Sequence, residues 1–171
     1  HRVDGALTQT PLRLRDRVQD LVTEHSRLFH EVRAGLAAEG VAIVEHAEIP
    51  EHHARLRERY LEEIFPVLTP LAVAPGHPFP YISTLSLSLA ITVADPVTSE
   101  QRFARVKVPP ILPRLVEVQR RVYVPLEQVI AANLDALFPG VQVVEAHMFR
   151  VTRDADFDVE VGPHRQDVEP R

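Results

Sequence analysis

Nine histidines are the first residues of this 171-residue chain whose side chains could do chemistry, by binding a metal or carrying a phosphoryl group. His52 and His53 are adjacent, so a helix would turn them about 100° apart and away from a shared ligand set. His25 lies on an apolar helical stripe, where we expect a packed or partner-facing side chain. His77 lies in a rigid proline-rich segment that could position it, but a structural role such as a hydrogen bond to the backbone is favoured. The histidines therefore predict no metal site and no catalytic residue.

Other common catalytic patterns are missing from the sequence. Asp154 and Asp156 stand two residues apart and could hold Mg²⁺, but aspartates at a strand end or turn often accept hydrogen bonds from local amides instead. The sequence contains no HExxH, CxxC, GxxxxGK[ST], GxGxxG or GxSxG pattern. A phosphate cradle built from backbone amides is not expected in a chain with six glycines.

Basic residues give the one positive signal for a ligand. Arg105 and Lys107 share a face of a predicted strand with Phe103 beside them, and Arg150 and Arg153 lie on a later strand and its end. If those strands are neighbours, four cations line one surface suited to a polyanion. Solvated charges that protect an edge strand from aggregation are the alternative. The candidate phosphate-binding residues are therefore Arg105, Lys107, Arg150 and Arg153.

Composition narrows the class of protein. A hydrophobic content of 45% fits a globular domain, and no apolar run is long enough to cross a membrane. The net charge of −5 argues against a general nucleic-acid binder. The absence of cysteine excludes disulfides and is compatible with a reducing cytoplasm. Because the chain begins with His1, we expect a processed product or a piece of a longer protein.

The elements are organised around the stretch from Phe65 to Ala94. Its first half, to Pro80, holds five prolines interleaved with apolar residues, which predicts an ordered, extended connection. Its second half alternates Leu85, Leu87, Leu89, Ile91 and Val93 with small or polar residues, which predicts a long half-buried strand.

Three helices and several strands surround that stretch. The helices are predicted at about Pro11–Glu39, with Thr10 as N-cap and Gly40 as the stop, at Ile49–Ile64, and from Pro125 to Leu137. Further strands are predicted at 41–44, 102–108, 115–118, 121–124, 141–147, 148–153 and 157–161. The strand at 102–108 should pair with the long strand as a hairpin. The fold class is therefore α+β, with a mainly antiparallel sheet, a long N-terminal helix and two further helices.

Four segments, in this order and spacing, resemble the middle (head) domain of long-chain, histidine-phosphorylating polyphosphate kinases. They are Leu68–Ile91 (LTPLAVAPGHPFPYISTLSLSLAI), Phe103–Arg114 (FARVKVPPILPR), Val124–Gly140 (VPLEQVIAANLDALFPG) and Phe149–Glu160 (FRVTRDADFDVE). The resemblance implies residues 11–161 as that domain, with 1–10 as a remnant or linker from a preceding domain and 162–171 as a loose tail.

The resemblance also implies a function for the enzyme to which such a domain belongs. That enzyme is a cytoplasmic transferase that moves the terminal phosphate of ATP reversibly onto polyphosphate, with Mg²⁺ and a phosphorylated histidine. The phosphorylated histidine and the metal site belong to its C-terminal domains, so no catalytic residue and no cofactor is carried over to this chain. After Asp158 the chain departs from the family pattern, which implies a truncated, degenerate or excised member.

Two hypotheses follow for this chain. The first is a scaffold that is inactive alone, provides dimer contacts and has the catalytic domains of polyphosphate kinase as partners. The second is a stand-alone module that binds polyphosphate or another polyanion. In either case we expect a homo-oligomer, no nucleic-acid partner and no membrane span.

Overall fold

A computed structural model of the chain describes residues 4–72 and 82–152. Four helices are present there: α1 (Asp4–Ala38), α2 (His53–Arg59), α3 (Leu126–Ala131) and α4 (Leu134–Leu137). The strands are β1 (Ala42–Ile43), β2 (Pro70–Ala72), β3 (Leu87–Ala94), β4 (Gln101–Lys107), β5 (Leu115–Gln119), β6 (Val122–Pro125) and β7 (Gln142–Arg150). They form two sheets, ordered β1-β6-β5 and β2-β4-β3-β7. Among the described strands β1 and β6 alone pair in parallel, so the predicted α+β class with mainly antiparallel strands is confirmed.

The long N-terminal helix begins earlier than the sequence pattern indicated. The predicted start at Thr10 and Pro11 is wrong, because α1 runs from Asp4. The predicted stop is confirmed: Gly40 has a φ of +74°, and the Val41 amide donates to the Leu36 carbonyl at 2.9 Å. The helix crosses the proposed boundary at residue 10, and that boundary stays a prediction.

Most of α1 extends away from the rest of the described chain. Its main contacts lie at its C-terminal end beside β1, where Arg33 donates to Glu45 at 3.4 Å and to Glu48 at 3.3 Å. Along the helix, seven large apolar side chains are 45–65% exposed: Leu14, Val18, Leu21, Val22, Leu28, Phe29 and Val32. Nothing in the described chain covers this stripe.

The predicted hairpin is confirmed, with a correction to its first strand. Strand β3 pairs antiparallel with β4, so that Leu89 opposes Val106 and Ala90 opposes Arg105. The prediction that the strand begins at Leu85 is wrong, because β3 begins at Leu87. Leu85 has a φ of +60° and is 60% exposed in a turn. Its amide donates to the carbonyl of Val151 at 2.8 Å, which holds the turn against the strand β7.

Two other strand predictions also change. The two predicted strands at 141–147 and 148–153 are one strand, β7, which pairs with β3 and has an irregular register next to Val144. The proline-rich stretch contains the short strand β2, which the sequence did not predict. Pro70 begins β2, which lies at the edge of the sheet, and the first residue of an edge strand is a position that proline tolerates.

The second and third predicted helices lie where the sequence indicated, but neither is one continuous α-helix. Residues 50–67 form a 3₁₀ turn, α2, a π turn at Tyr60–Ile64 and a second 3₁₀ turn at Phe65–Val67. The helix predicted from Pro125 to Leu137 is two helices, α3 and α4, because Asn133 interrupts it. The Asn133 side chain donates to the Val129 carbonyl at 2.7 Å and accepts from Arg57 at 3.0 Å.

One hydrophobic core joins both sheets to the short helices. Its fully buried members include Leu56 and Tyr60 from the α2 region, Leu89 and Ile91 from β3, and Ile130 from α3. Burial raises the pKa of the Tyr60 phenol to about 12. Beside this core Arg57 forms a two-pronged ion pair with Asp135 at 2.7 and 3.0 Å, and its hydrogen bond lowers the pKa of that carboxyl. These polar contacts fix α2 against α4.

Several sequence predictions lie outside the described residues. They are the segment around His77, the pair Asp154 and Asp156, the phosphate-binding candidate Arg153, the strand at 157–161 and the tail at 162–171. No helix in residues 4–72 or 82–152 is long and apolar enough to cross a membrane.

Candidate anion-binding cleft

Strand β4 carries two of the predicted phosphate-binding residues, and they have different environments. Arg105 is buried, with 4% of its surface exposed, and its Nε donates to the Ser88 hydroxyl at 3.3 Å. Lys107 follows two residues later on the same face, as the alternation predicted, and is only half-buried. A large anion in solvent can reach Lys107 but not Arg105. The structure therefore favours Lys107 over Arg105 as a ligand contact.

The third candidate, Arg150, lies at the end of β7 and is exposed. Arg150 opposes Leu87, whereas Lys107 opposes Ser88, and consecutive residues of a strand point to opposite faces. Strands β4 and β7 are not neighbours but flank β3 on its two sides. The condition for a single four-cation surface, neighbouring strands, is therefore not met.

Lys107 and Arg150 nevertheless meet at the end of the sheet. Both line one open depression of about 290 Å³, together with Arg114, which the sequence analysis did not select. The rest of its lining comes from residues 83–87 and 108–110. We call this depression the basic cleft. The signal for Arg114 was present, because it closes the segment FARVKVPPILPR that carried the family resemblance.

Local sequence explains why the cleft forms at this place. Strand β4 ends because Pro109 and Pro110 have no amide hydrogen and cannot continue the ladder. The Val108 amide makes the last bond, to the Leu87 carbonyl at 3.0 Å. On the other wall the Ser86 hydroxyl donates to the Ser83 carbonyl at 2.7 Å, which fixes the turn before β3. The cleft lies between the turn before β3, at residues 83–86, and the segment 108–110 that ends β4.

Two of the three cations in the basic cleft, Lys107 and Arg150, are not balanced by acidic neighbours in the described residues. Within the described residues neither Lys107 nor Arg150 has an ion-pair partner, and no carboxylate lines the cleft. Arg114 does have an acidic partner: it donates through Nη2 to Glu127 at 2.8 Å, and its side chain is 50% exposed whereas that of Glu127 is 13% exposed. An arginine has five N–H donors, so Arg114 keeps others for a ligand. The arrangement is suited to an anion.

A second basic depression gives a useful contrast. Arg55, Arg59 and Arg120 line it together with the acidic residue Glu117. Arg59 is already engaged there, donating to Glu63 at 3.0 Å and to the Glu117 backbone carbonyl at 2.8 Å. We call it the arginine depression. Its internal carboxylate and engaged guanidinium make it a weaker anion site than the basic cleft.

The described histidines do not form a metal site. No group of three or more His, Cys, Asp or Glu residues in residues 4–72 and 82–152 could hold a metal ion. His25, which was expected to be packed or partner-facing, is exposed on α1. No sequence pattern pointed to the pair His46 and His53, whose rings stack with centroids 4.0 Å apart. Burial, and then the charge of His53, lowers the pKa of His46.

Comparison with known proteins identifies the family. Residues 51–168 match the family described as polyphosphate kinase middle domain. Polyphosphate kinase from Streptomyces coelicolor is 53% identical over 146 residues, covering 84% of this chain and 20% of the relative. Polyphosphate kinase from Mycobacterium tuberculosis is 44% identical over 175 residues, covering 92% of this chain and 24% of the relative. The chain belongs to the polyphosphate kinase middle-domain family.

A solved structure agrees with this assignment. The crystal structure of polyphosphate kinase from Porphyromonas gingivalis matches with a TM-score of 0.71 and 30% sequence identity. The match covers 81% of this chain and 25% of that one. The chain thus spans about a fifth to a quarter of the length of the polyphosphate kinases that it matches.

Proposed function

We propose that this chain is the middle-domain portion of an enzyme that transfers the terminal phosphate of ATP reversibly to polyphosphate. The observation that supports this most directly is the family match over residues 51–168, together with relatives named polyphosphate kinase that cover 84–92% of the chain. The role of this portion is to provide scaffold and contacts for the rest of the enzyme, in the cytoplasm.

We propose that Mg²⁺ and ATP bind elsewhere in the enzyme than in the basic cleft. The basic cleft offers no carboxylate for the metal and no aromatic side chain on which adenine could stack. The described residues contain no group of metal ligands elsewhere. Binding of Mg·ATP and the chemical step are accordingly assigned to the domains that the relatives have and this chain does not span.

The exposed stripe of α1 supports a role in assembly. Seven large apolar side chains on one extended helix form a surface that favours association with another protein surface. We propose that this surface is covered in the assembled enzyme, by the other domains or by a second copy of the chain. Sedimentation velocity of the purified chain should show self-association that increases with concentration. A clean, concentration-independent monomer would contradict this proposal.

The decisive test of the proposed function is an assay of the full-length protein that carries this chain. Synthesis of polyphosphate from Mg·ATP should be measurable in the full-length protein and absent from the 171-residue chain alone. Transfer by the chain alone would refute the scaffold role, and failure of the full-length protein to transfer phosphate would refute the kinase assignment.

The basic cleft favours one second candidate, a module that binds polyanions without serving an enzyme. This candidate predicts polyphosphate binding by the chain in a full-length protein that has no transferase activity. The two functions are therefore separated by the same assay.

A further inference from the structure

We propose that the basic cleft is a binding site for a linear chain of phosphate groups, contacted by Lys107, Arg114 and Arg150. The identity of the ligand as inorganic polyphosphate rests on the function proposed above. The site itself rests on the geometry and charge of the described residues.

The first reason is the charge of Lys107 and Arg150, which no carboxylate in the described residues compensates. Lys107 and Arg150 come from strands on opposite sides of β3, yet their side chains line the same depression with Arg114. Like charges placed together without a carboxylate between them repel each other, and an anion removes that repulsion. Guanidinium groups also match phosphate oxygens with two parallel hydrogen bonds.

A supporting contact holds Arg114 in place. Glu127, the second residue of α3, accepts a hydrogen bond from Arg114 at 2.8 Å and is mostly buried. Its second carboxylate oxygen has no hydrogen-bond partner in the described residues. Moving Arg114 away would leave this carboxylate without its counter-charge. We therefore expect Arg114 to stay beside the cleft in the free and the bound protein, with no large rearrangement on binding.

The shape and lining of the cleft select the kind of anion. The cleft is open to solvent, so a ligand longer than the cleft can occupy it with one part of its length. Its walls combine prolines with the hydroxyl residues Ser83, Thr84 and Ser86, and no aromatic residue is present for stacking a base. These features favour a phosphate chain without bases over a nucleotide or a nucleic acid.

The test is a calorimetric titration of long-chain inorganic polyphosphate into the purified 171-residue chain and two double variants. The first, Lys107→Gln with Arg150→Gln, removes two charges from the basic cleft. The second, Arg55→Gln with Arg120→Gln, removes two charges from the arginine depression and is the matched control. All four side chains lie outside the core, and circular dichroism and melting temperature verify that each variant is folded.

The cleft variant should bind on the order of 10–100-fold more weakly, as expected for the loss of two charge-assisted contacts. The control should change affinity by less than about threefold, because Arg55 and Arg120 share their depression with a carboxylate. Equal losses in both variants, a larger loss in the control, or no binding by the unmodified chain would overturn the proposal. As a second measurement, the affinity for polyphosphate is determined for the same variants of the full-length protein.

Single-stranded DNA and inorganic phosphate are competitors in the same titration. Polyphosphate should be displaced poorly by DNA at equal phosphate concentration, since the cleft offers bases no stacking partner. Equal competition would refute selection for a base-free chain. Binding to the cleft without transferase activity in the full-length protein would refute the proposed function alone, and transferase activity without cleft binding would refute this inference alone.

Discussion

Arg105 and Lys107 stand two residues apart on one strand and one face, and yet the structure separates them. Arg105 is buried and donates a hydrogen bond to Ser88, so its charged group is not accessible from solvent. Lys107 follows where the strand ends, and it faces an open cleft without a described ion-pair partner. Two cations on the same face of one strand can therefore have different roles, one in packing and one in contact with a ligand. The position of a cation relative to the strand end decides whether a ligand can reach it.

The largest effect that we expect is on the free energy of unfolding, and it tests the difference between Arg105 and Lys107. Arg105→Ala should lower the free energy of unfolding by about 2 kcal/mol or more, because it removes a buried, hydrogen-bonded side chain and leaves a cavity. Lys107→Ala should change it by no more than about 0.5 kcal/mol. Urea denaturation followed by circular dichroism measures both values. Similar values for the two variants would show that burial does not distinguish these residues.

A second test sharpens the comparison with a residue that we assign both roles. Arg114→Gln should weaken polyphosphate binding and also lower the free energy of unfolding by about 1 kcal/mol, because Glu127 loses its counter-charge. The double variant Arg114→Gln with Glu127→Gln should recover the stability but not the affinity. Recovery of both would mean that Arg114 acts only through Glu127 and does not contact the ligand.

The smallest expected effect concerns pH, and it involves His46, a partly buried residue outside the basic cleft. His46 has a lowered pKa in the folded protein, so the unfolded chain binds its proton more readily. Stability should therefore fall as the pH drops below the ordinary histidine value of 6.5, until the folded pKa is passed.

His46→Gln measures that contribution directly. Its urea midpoint at pH 5.5, compared with pH 7.5, should fall less than that of the unmodified chain. An identical pH dependence in both proteins would exclude His46 as the titrating group. His30, exposed on α1, supplies the control variant His30→Gln, which should leave the dependence unchanged.

Much of the fold could be predicted from the sequence because it follows from local patterns. The alternation from Leu87 to Val93 predicted β3, and Gly40 predicted the end of α1. The exceptions depend on contacts that are distant in sequence. Leu85 continues the apolar alternation, but its amide bonds to Val151, and this contact bends it into a turn. Asn133 interrupts an apolar helical pattern because Arg57 supplies a partner from another helix.

The candidate site could be predicted only in part, for the same reason. The residue types and strand alternation identified Lys107 and Arg150 as candidate phosphate-binding cations, together with Arg105 and Arg153. They could not show that β3 lies between β4 and β7, or that the chain after Pro110 brings Arg114 to the same cleft. Burial of Arg105 also depends on what covers the sheet, and a strand's own sequence does not contain that information.

The most direct measurement of the central claim is a ¹H–¹⁵N NMR titration of the 171-residue chain with inorganic polyphosphate. The cleft assignment predicts the largest amide shifts at residues 83–87 and at Lys107, Arg114 and Arg150, with much smaller shifts at Arg55 and Arg120. Shifts centred on the arginine depression or on α1, or no shifts at saturating polyphosphate, would contradict it.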